Sequence, residues 1–335
     1  MNRVKTGVIG VGSLGRHHAR WLSKIETSEY VGCYDVDSSR ANQIAGEVGG
    51  KAFSTIDDLL SQVSAVSIAA TTTAHFELAG KALARGVHCL IEKPVTATLR
   101  EAHELDRIAK ISGCKVSVGQ IERFNPAVQA IISFGVRPSF IEAHRLAAFN
   151  PRGTDVAVIL DLMIHDIDLA LFLVKSPVKD IQSAAVSVVS GQVDIANTRL
   201  TFENGAVANL TASRISLNEM RKVRLFQPSL YCSLDLARKE ADIYRLDDQG
   251  EKLSTSGMRL PLGNSGRDIL YQKISDNGKD MLGSELEHFL SAIIEDKPVA
   301  VSLDEGIVAL SVALEVERIG REAMDRHQRA VSING

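Results

Sequence analysis

Apolar positions in the first third of the chain fall in short runs, separated by stretches with helical spacing. Residues 4–9 (Val-Lys-Thr-Gly-Val-Ile) read as a strand, 16–25 as a helix and 30–34 as a second strand. The run 65–70 is a further strand, followed by a helix over 74–85, a strand over 87–91, a helix over 98–112 and a strand over 115–119. Strands that alternate with helices predict an α/β domain with a doubly wound parallel sheet, because each parallel pair needs a crossover connection.

From about Glu122 the pattern changes. Residues 139–146 read as a strand and 155–174 as a long apolar helix, followed by strand-like runs over 182–190, 194–203, 206–213, 221–227, 229–236 and 241–247. Glu203-Asn204-Gly205 carries a hairpin signal. These features predict an α+β domain with a large, mostly antiparallel sheet. Segment 247–280 reads as loop, and helices over 283–295 and 303–326 close the chain. The expected division is one domain over 1–121 and a second over 122–335.

Composition narrows the class. The 335 residues are 45% hydrophobic and 24% charged, with a net charge of −3, which suits a soluble globular protein and argues against general affinity for nucleic acid or anionic membrane. The apolar helix 155–174 contains Asp161, His165, Asp166 and Asp168, a load no membrane span would carry. Cys33, Cys89, Cys114 and Cys232 lack metal-ligand spacing and read as reduced thiols, and no leader is evident before the first strand. A cytoplasmic enzyme without a metal is the expectation.

Gly10-Val11-Gly12-Ser13-Leu14-Gly15 sits between the first strand and the first helix, the context a dinucleotide fingerprint requires. Gly10 suits the tight turn, Gly12 the approach of a pyrophosphate and Gly15 the close packing of helix on strand, with Ser13 and Leu14 at the phosphates. Asp35 follows the second strand, twenty residues after Gly15, where a carboxylate binds the adenosine ribose hydroxyls and repels a 2′-phosphate. NAD is therefore the expected cofactor, while Arg40 keeps NADP open and Asp37 is an alternative ribose ligand. Further polar segments leave the strand ends where ligands of such sheets bind: Thr71-Thr72-Thr73, Glu92-Lys93-Pro94 and Gln120 to Asn125. Asp161 and His165 are four residues apart and Asp168 three further, so all three share one helix face.

The fingerprint Gly10-x-Gly12-x-x-Gly15-x-x-His18, Glu92-Lys93-Pro94 and Asp161-Leu-Met-Ile-His165 together resemble the glucose–fructose oxidoreductase, inositol dehydrogenase and rhizopine catabolism (GFO/IDH/MocA) superfamily over nearly the whole chain. The resemblance implies a pyridine-nucleotide oxidoreductase of a sugar or cyclitol hydroxyl, with Lys93, Asp161 and His165 as catalytic and substrate-binding residues. It places Thr71, Thr72, His75, Glu92 and Lys93 at the cofactor, and implies a homodimer or homotetramer built through the C-terminal sheet. Many relatives have Gly where this chain has Met163, which predicts a more regular helix. Three stretches (Ile-Glu-Arg-Phe-Asn-Pro-Ala-Val, Asp-Leu-Met-Ile-His-Asp-Ile-Asp-Leu and Val-Ala-Asn-Leu-Thr-Ala-Ser-Arg) resemble bacterial sugar-nucleotide 3-dehydrogenases, which oxidise the 3-hydroxyl of UDP-N-acetylglucosamine.

Arg123 and Asn125 are the further candidates for substrate binding, with an interdomain ion pair of Glu122 and Arg123 as the plainer reading. A diphosphate would need a basic site, for which Arg123, Arg145, Arg152, Arg214, Arg221 and Arg224 are available. The alternatives are a dehydrogenase of a free sugar or inositol, and a non-catalytic NAD-binding sensor. His18 and Trp21, both early in the first helix, read as packing residues.

Overall fold

The computed structural model describes residues 3–149, 156–247, 257–263 and 265–334. Two compact units divide the chain. The first comprises Met1–Phe124 and Lys279–Leu310, the second Asn125–Gly278 and Ser311–Gly335.

The first unit is built on β1 (Val4–Ile9), β2 (Ser28–Tyr34), β3 (Lys51–Ala52), β4 (Ala65–Ile68), β5 (His88–Glu92) and β6 (Val116–Gly119). They form a parallel sheet in the order β3-β2-β1-β4-β5-β6. β4, β5 and β6 are almost wholly buried, which explains their continuous apolar character. The helices α1 (Gly15–Leu22), α2 (Ser38–Val48), α3 (Ile56–Leu60), α4 (Thr72–Leu83) and α5 (Leu99–Ser112) connect the strands. Side chains cap several of them. Asp37 caps α2 through the N–H groups of Ser39 and Arg40, and Thr98 and Glu101 close a reciprocal capping box on α5. The strand order reverses direction between β1 and β4, so a crevice opens at the C-terminal ends of these two strands.

Helices α2 and α3 lie in a stretch where the sequence reading assigns no element, and they complete the alternation. A short 3₁₀ turn, Ile121–Phe124, follows β6. The helix α8 (Met281–Ile294) also belongs to this unit, where Leu282, Leu286, Phe289 and Leu290 join a core with Val8, Ala19 and Leu22. Gly283 permits the close approach: a Cβ there would lie 3.1 Å from the Trp21 ring. The expected division, by contrast, assigns all of 122–335 to the second domain.

In the second unit α6 (Pro126–Ser133) is followed by β7 (Phe140–Leu146) and then by a π-helical turn, Ile159–Met163, that runs into α7 (Ile164–Val174). The strands β8 (Val178–Val186), β9 (Ile195–Phe202), β10 (Val207–Ser213), β11 (Met220–Gln227), β12 (Leu230–Asp235), β13 (Glu240–Asp247), β14 (Gly257–Pro261) and β15 (Asp268–Ile274) complete a sheet in the order β14-β15-β13-β12-β11-β7-β10-β9-β8. All neighbours are antiparallel except β7 and β10. Burial alternates along the central strands, so one face packs on α7 through Ile141, Ala143, Leu210, Val223 and Leu225.

Two expectations are corrected here. The stretch read as loop over 247–280 contains β14 and β15, joined as a hairpin. Its glycines fall at strand ends, at Gly257, and in the turn, at Gly263 and Gly266, where they hid a short alternating pattern. The helix around Asp161 is also less regular than Met163 suggests. The Ile164 N–H reaches back five residues to the Ile159 carbonyl, and the widened turn lets Val158, Ile159, Met163 and Ile164 all enter the core. The helix α9 (Leu303–Asn334) ends the chain, its residues up to Leu310 grouping with the first unit and the rest with the second.

Candidate functional site

A cavity of about 540 Å³ lies in the crevice of the parallel sheet. Strand ends supply most of its wall: Ile9 and Gly10 after β1, Tyr34 to Val36 after β2, and Ala69 to Thr71 after β4. Gly12, Ser13 and Leu14 line it at the start of α1.

The glycine loop is built for close approach. Gly10 has φ +82°, and a Cβ there would lie 2.8 Å from the Ala70 backbone. At Gly15 a Cβ would lie 1.8 Å from the Gly10 carbonyl oxygen, so helix and loop meet with no side chain between them. Gly12 differs: a Cβ there would meet nothing within 4 Å, leaving its backbone bare towards the cavity. The N-terminus of α1, with its positive dipole end and no side-chain cap, follows directly. This arrangement fits a dinucleotide pyrophosphate.

Asp35 is buried and tied to the loop. Its Oδ2 accepts from the Val11 N–H at 2.8 Å and its Oδ1 from the Asp37 N–H at 2.9 Å. Arg40, nearly half exposed, lies 3.2 and 3.3 Å from the two oxygens and also pairs with Asp37. Asp37 spends its own Oδ1 on capping α2, so Asp35 is the carboxylate at the cavity wall. Val36, Ile56, Ala74 and Leu78 add an apolar surface suited to an adenine ring. Val36 and Ile56 belong to no motif, and sequence reasoning missed them. The apolar residue directly after the ribose carboxylate was the available signal.

The Glu92-Lys93-Pro94 turn leaves β5, with Glu92 and Pro94 buried and Lys93 half-buried, and the Lys93–Pro94 peptide is cis. Thr71 lines the cavity, and Thr72 opens α4 beside it. His75, expected at the cofactor, sets its ring between two backbone carbonyls. It is buried, with Nδ1 3.0 Å from the Pro94 carbonyl oxygen and Nε2 3.1 Å from that of Ala70, and burial pushes its pKa down. His18 is more than packing: its Nδ1 lies 2.7 Å from Ser67 Oγ and its Nε2 3.1 Å from Glu92 Oε1.

Arg123 and Asn125, expected at the substrate, each have partners within the protein. Arg123 is buried and donates to Glu305 at 2.7 Å and to the Ala300 carbonyl at 3.2 Å. Asn125 is wholly buried. It caps α6 by accepting from the Ala127 N–H and donates to the Leu236 carbonyl. Polar residues after a strand resembled a ligand site, but their partners lie far along the chain.

In the second unit Asp161 and His165 are half-buried on one side of the widened turn, four residues being slightly less than one turn there. Asp168 does not join an open face with them and is buried. Asp166 forms a buried bidentate pair with Arg145, at 2.9 and 2.8 Å. Of the basic candidates, Arg214 is buried and donates to the Val156 carbonyl, and Arg224 pairs with Glu142. Arg221 is exposed on β11, and Arg152 lies outside the described residues. Among the described residues, no cluster of His, Cys, Asp and Glu suits a metal ion, and no helix is long and apolar enough to cross a membrane.

Comparison with known proteins agrees with this geometry. Residues 4–120 match the oxidoreductase family model with the NAD-binding Rossmann fold, and residues 130–226 match the GFO/IDH/MocA C-terminal domain. The UDP-N-acetylglucosamine 3-dehydrogenase of Acidithiobacillus ferrooxidans is 38% identical over 324 residues, covering 96% of this chain and 99% of that protein. A solved structure of that enzyme superposes with a TM-score of 0.87 at 36% identity, covering 96% of this chain and 99% of the other. The myo-inositol 2-dehydrogenase of Thermotoga maritima is 23% identical over 92% of this chain and 93% of its own. Fingerprint, strand order, cavity and full-length likeness agree, and the chain belongs to the GFO/IDH/MocA family of oxidoreductases with an NAD-binding Rossmann fold.

Proposed function

We propose that the protein oxidises the 3-hydroxyl of a UDP-N-acetylhexosamine, with NAD as hydride acceptor. The full-length likeness to a UDP-N-acetylglucosamine 3-dehydrogenase carries this reading, because the match extends through the second unit and not only the cofactor fold. Asp35 holds the adenosine ribose, and the bare Gly12 backbone with the N-terminus of α1 holds the pyrophosphate. When bound, NAD supplies the hydride-accepting carbon of its nicotinamide ring.

The remaining chemistry falls to side chains. Oxidation of a secondary alcohol releases the hydroxyl proton, and an imidazole titrates near neutrality, so His165 suits the general base. Asp161, on the same side of the helix, orients His165 or holds a neighbouring hydroxyl. The Lys93 ammonium donates to the substrate oxygen and stabilises the developing alkoxide. Lys93 and His165 are both candidates for the immediate base. A pH–rate profile separates them, since the acid limb should vanish with the residue that accepts the proton.

Assembly through the outer face of the large sheet is part of the same proposal. Phe140, Phe226, Tyr231, Tyr244 and Tyr271 stack in a row across five strands, with centroids 4.9 to 5.6 Å apart. These half-buried rings lie opposite the core-facing residues, and such an aromatic stripe suits a dimer or tetramer interface. A cytoplasmic location fits the free thiols of Cys33, Cys89, Cys114 and Cys232.

The test is NADH formation with UDP-N-acetylglucosamine, UDP-glucose, glucose and myo-inositol, each with a carbonyl trap to pull the equilibrium. Turnover of UDP-N-acetylglucosamine that is lost in Lys93→Ala and His165→Ala supports the proposal. Turnover of a free polyol alone refutes the sugar-nucleotide assignment, and NAD binding without any turnover favours a sensor.

A further inference from the structure

Two buried histidines bracket the turn that carries Lys93, and the reaction scheme above uses neither. His18 comes from α1, three residues after Gly15, and is wholly buried. Its Nε2 is 3.1 Å from Glu92 Oε1, at ion-pair distance though off the axis of a linear hydrogen bond, and Ser67 Oγ meets its other nitrogen at 2.7 Å. His75 comes from α4 and reaches the carbonyl oxygen of Pro94 at 3.0 Å. The residues on both sides of Lys93 are thus each held by an imidazole.

The Glu92 side has little freedom. Its carboxylate lies 3.0 Å from where a Cβ at Gly119 would stand, so it packs closely on β6 and a side chain there would displace it by a few tenths of an ångström. Its Oε2 lies 3.3 Å from the Lys93 backbone N–H. A buried carboxylate needs partners, and His18 with the Lys93 N–H supplies them. An apolar side chain at either histidine would fill the same volume. What it could not supply is a polar nitrogen close to the Glu92 carboxylate or to the Pro94 carbonyl.

We propose that His18 and His75 are positioning residues that form a clamp on the Lys93 turn and so set where the Lys93 ammonium is presented. The inference rests on Lys93 acting in the proposed reaction. Both arms belong to helices that begin at the wall of the cofactor cavity, through Leu14 before α1 and Thr71 before α4. The clamp therefore ties the position of Lys93 to the elements that hold the dinucleotide.

The experiment compares His18→Leu, His18→Gln and His75→Leu with the parent protein. kcat and KM are read with the sugar nucleotide, NADH affinity by fluorescence, and the acylation rate of Lys93 by mass spectrometry in the protein without substrate, with exposed Lys81 as internal standard. A displaced reacting group costs about 10- to 100-fold in rate, so kcat should fall by that factor in both Leu variants. KM and the NADH Kd should stay within about threefold, because binding is not what the clamp provides. Lys93 acylation should change while that of Lys81 does not. His18→Gln keeps an N–H towards Glu92 and should recover most of the loss.

Folded Leu variants with parental kcat and parental Lys93 reactivity would overturn the proposal. So would equal losses in His18→Leu and His18→Gln. If His18→Leu does not fold, His75→Leu carries the expectation through the Pro94 side of the turn, and parental kcat with parental Lys93 reactivity there would again overturn the proposal. The acylation arm needs no turnover, so failure of the sugar-nucleotide reading and failure of the clamp remain distinguishable.

Discussion

Replacing Asp35 by Asn tests the cofactor site at its most connected residue. The side chain keeps its shape but loses its charge and one acceptor. In the native site one oxygen accepts from the Val11 N–H and the other from the Asp37 N–H. Whichever way the amide turns, one of these N–H groups then faces an NH₂. A buried donor left without a partner costs about 1–3 kcal/mol. The ribose hydroxyls also lose a charged acceptor, and such hydrogen bonds contribute about 1.5–3 kcal/mol. The contacts of Arg40 with Asp35 add little, because the guanidinium is nearly half exposed. The stranded donor lowers stability in both the free and the bound protein, so the ribose term alone should weaken NAD binding, by about 1.5–3 kcal/mol or roughly 10- to 10²-fold in Kd. Titration calorimetry with NAD and with NADP reads it directly. The ratio of NADP to NAD affinity should rise at least about tenfold, since the repulsion of the 2′-phosphate is gone and Arg40 is released from one anion. An NAD Kd within about threefold of the parent would refute the assignment of Asp35.

The same geometry supports other expectations. Gly12→Ala should fold with an unchanged Tm but bind NAD poorly, because the new methyl meets only open cavity, whereas Gly15→Ala should lower the Tm itself, because its Cβ would lie 1.8 Å from the Gly10 oxygen. Thermal melts with and without NADH separate the two. Arg145→Leu should destabilise the second unit by about 3–5 kcal/mol by stranding the buried Asp166 carboxylate, and adding Asp166→Leu should restore most of the loss in denaturant titrations. Asp194 is opposed by burial, but the Ser190 hydroxyl and the N–H groups of Ser190, Val189 and Val188 outweigh it and hold its pKa at about 2, below the ordinary 3.8. A folded-state pKa below the unfolded one stabilises above the unfolded value and is lost as pH falls through the folded value. The contribution is about 2 kcal/mol, complete at neutral pH and gone below about pH 2. Hydrogen exchange at Val188, Val189 and Ser190 should show that loss in the parent protein. Equal protection in Asp194→Asn at neutral pH would refute it.

What was legible in the sequence was what neighbouring residues decide. The Gly10 to Gly15 loop, Asp35 at the end of the next strand, and Thr71 at the head of α4 are each set by a few adjacent positions, and the cavity brings them together. What escaped depends on partners far along the chain. Arg123 after β6 had the chemistry of an anion ligand, and it pairs with Glu305, 182 residues away. α8 gave no sign of its destination, because an amphipathic helix shows that it has a buried face but not what covers it. Gly283, set against Trp21, is the one residue whose size hinted at a close contact. His18 is the instructive case. Its position in Gly-x-Gly-x-x-Gly-x-x-His was visible, and packing was the economical reading of a histidine one turn into a helix. Its meaning comes from Glu92, 74 positions later, and from Ser67 on β4, which the register of the sheet sets beside Leu90 on β5. A buried histidine at fixed spacing from a nucleotide loop is better read as a question about which other motif it reaches, because an imidazole is a costly way to fill space unless both its nitrogens have partners.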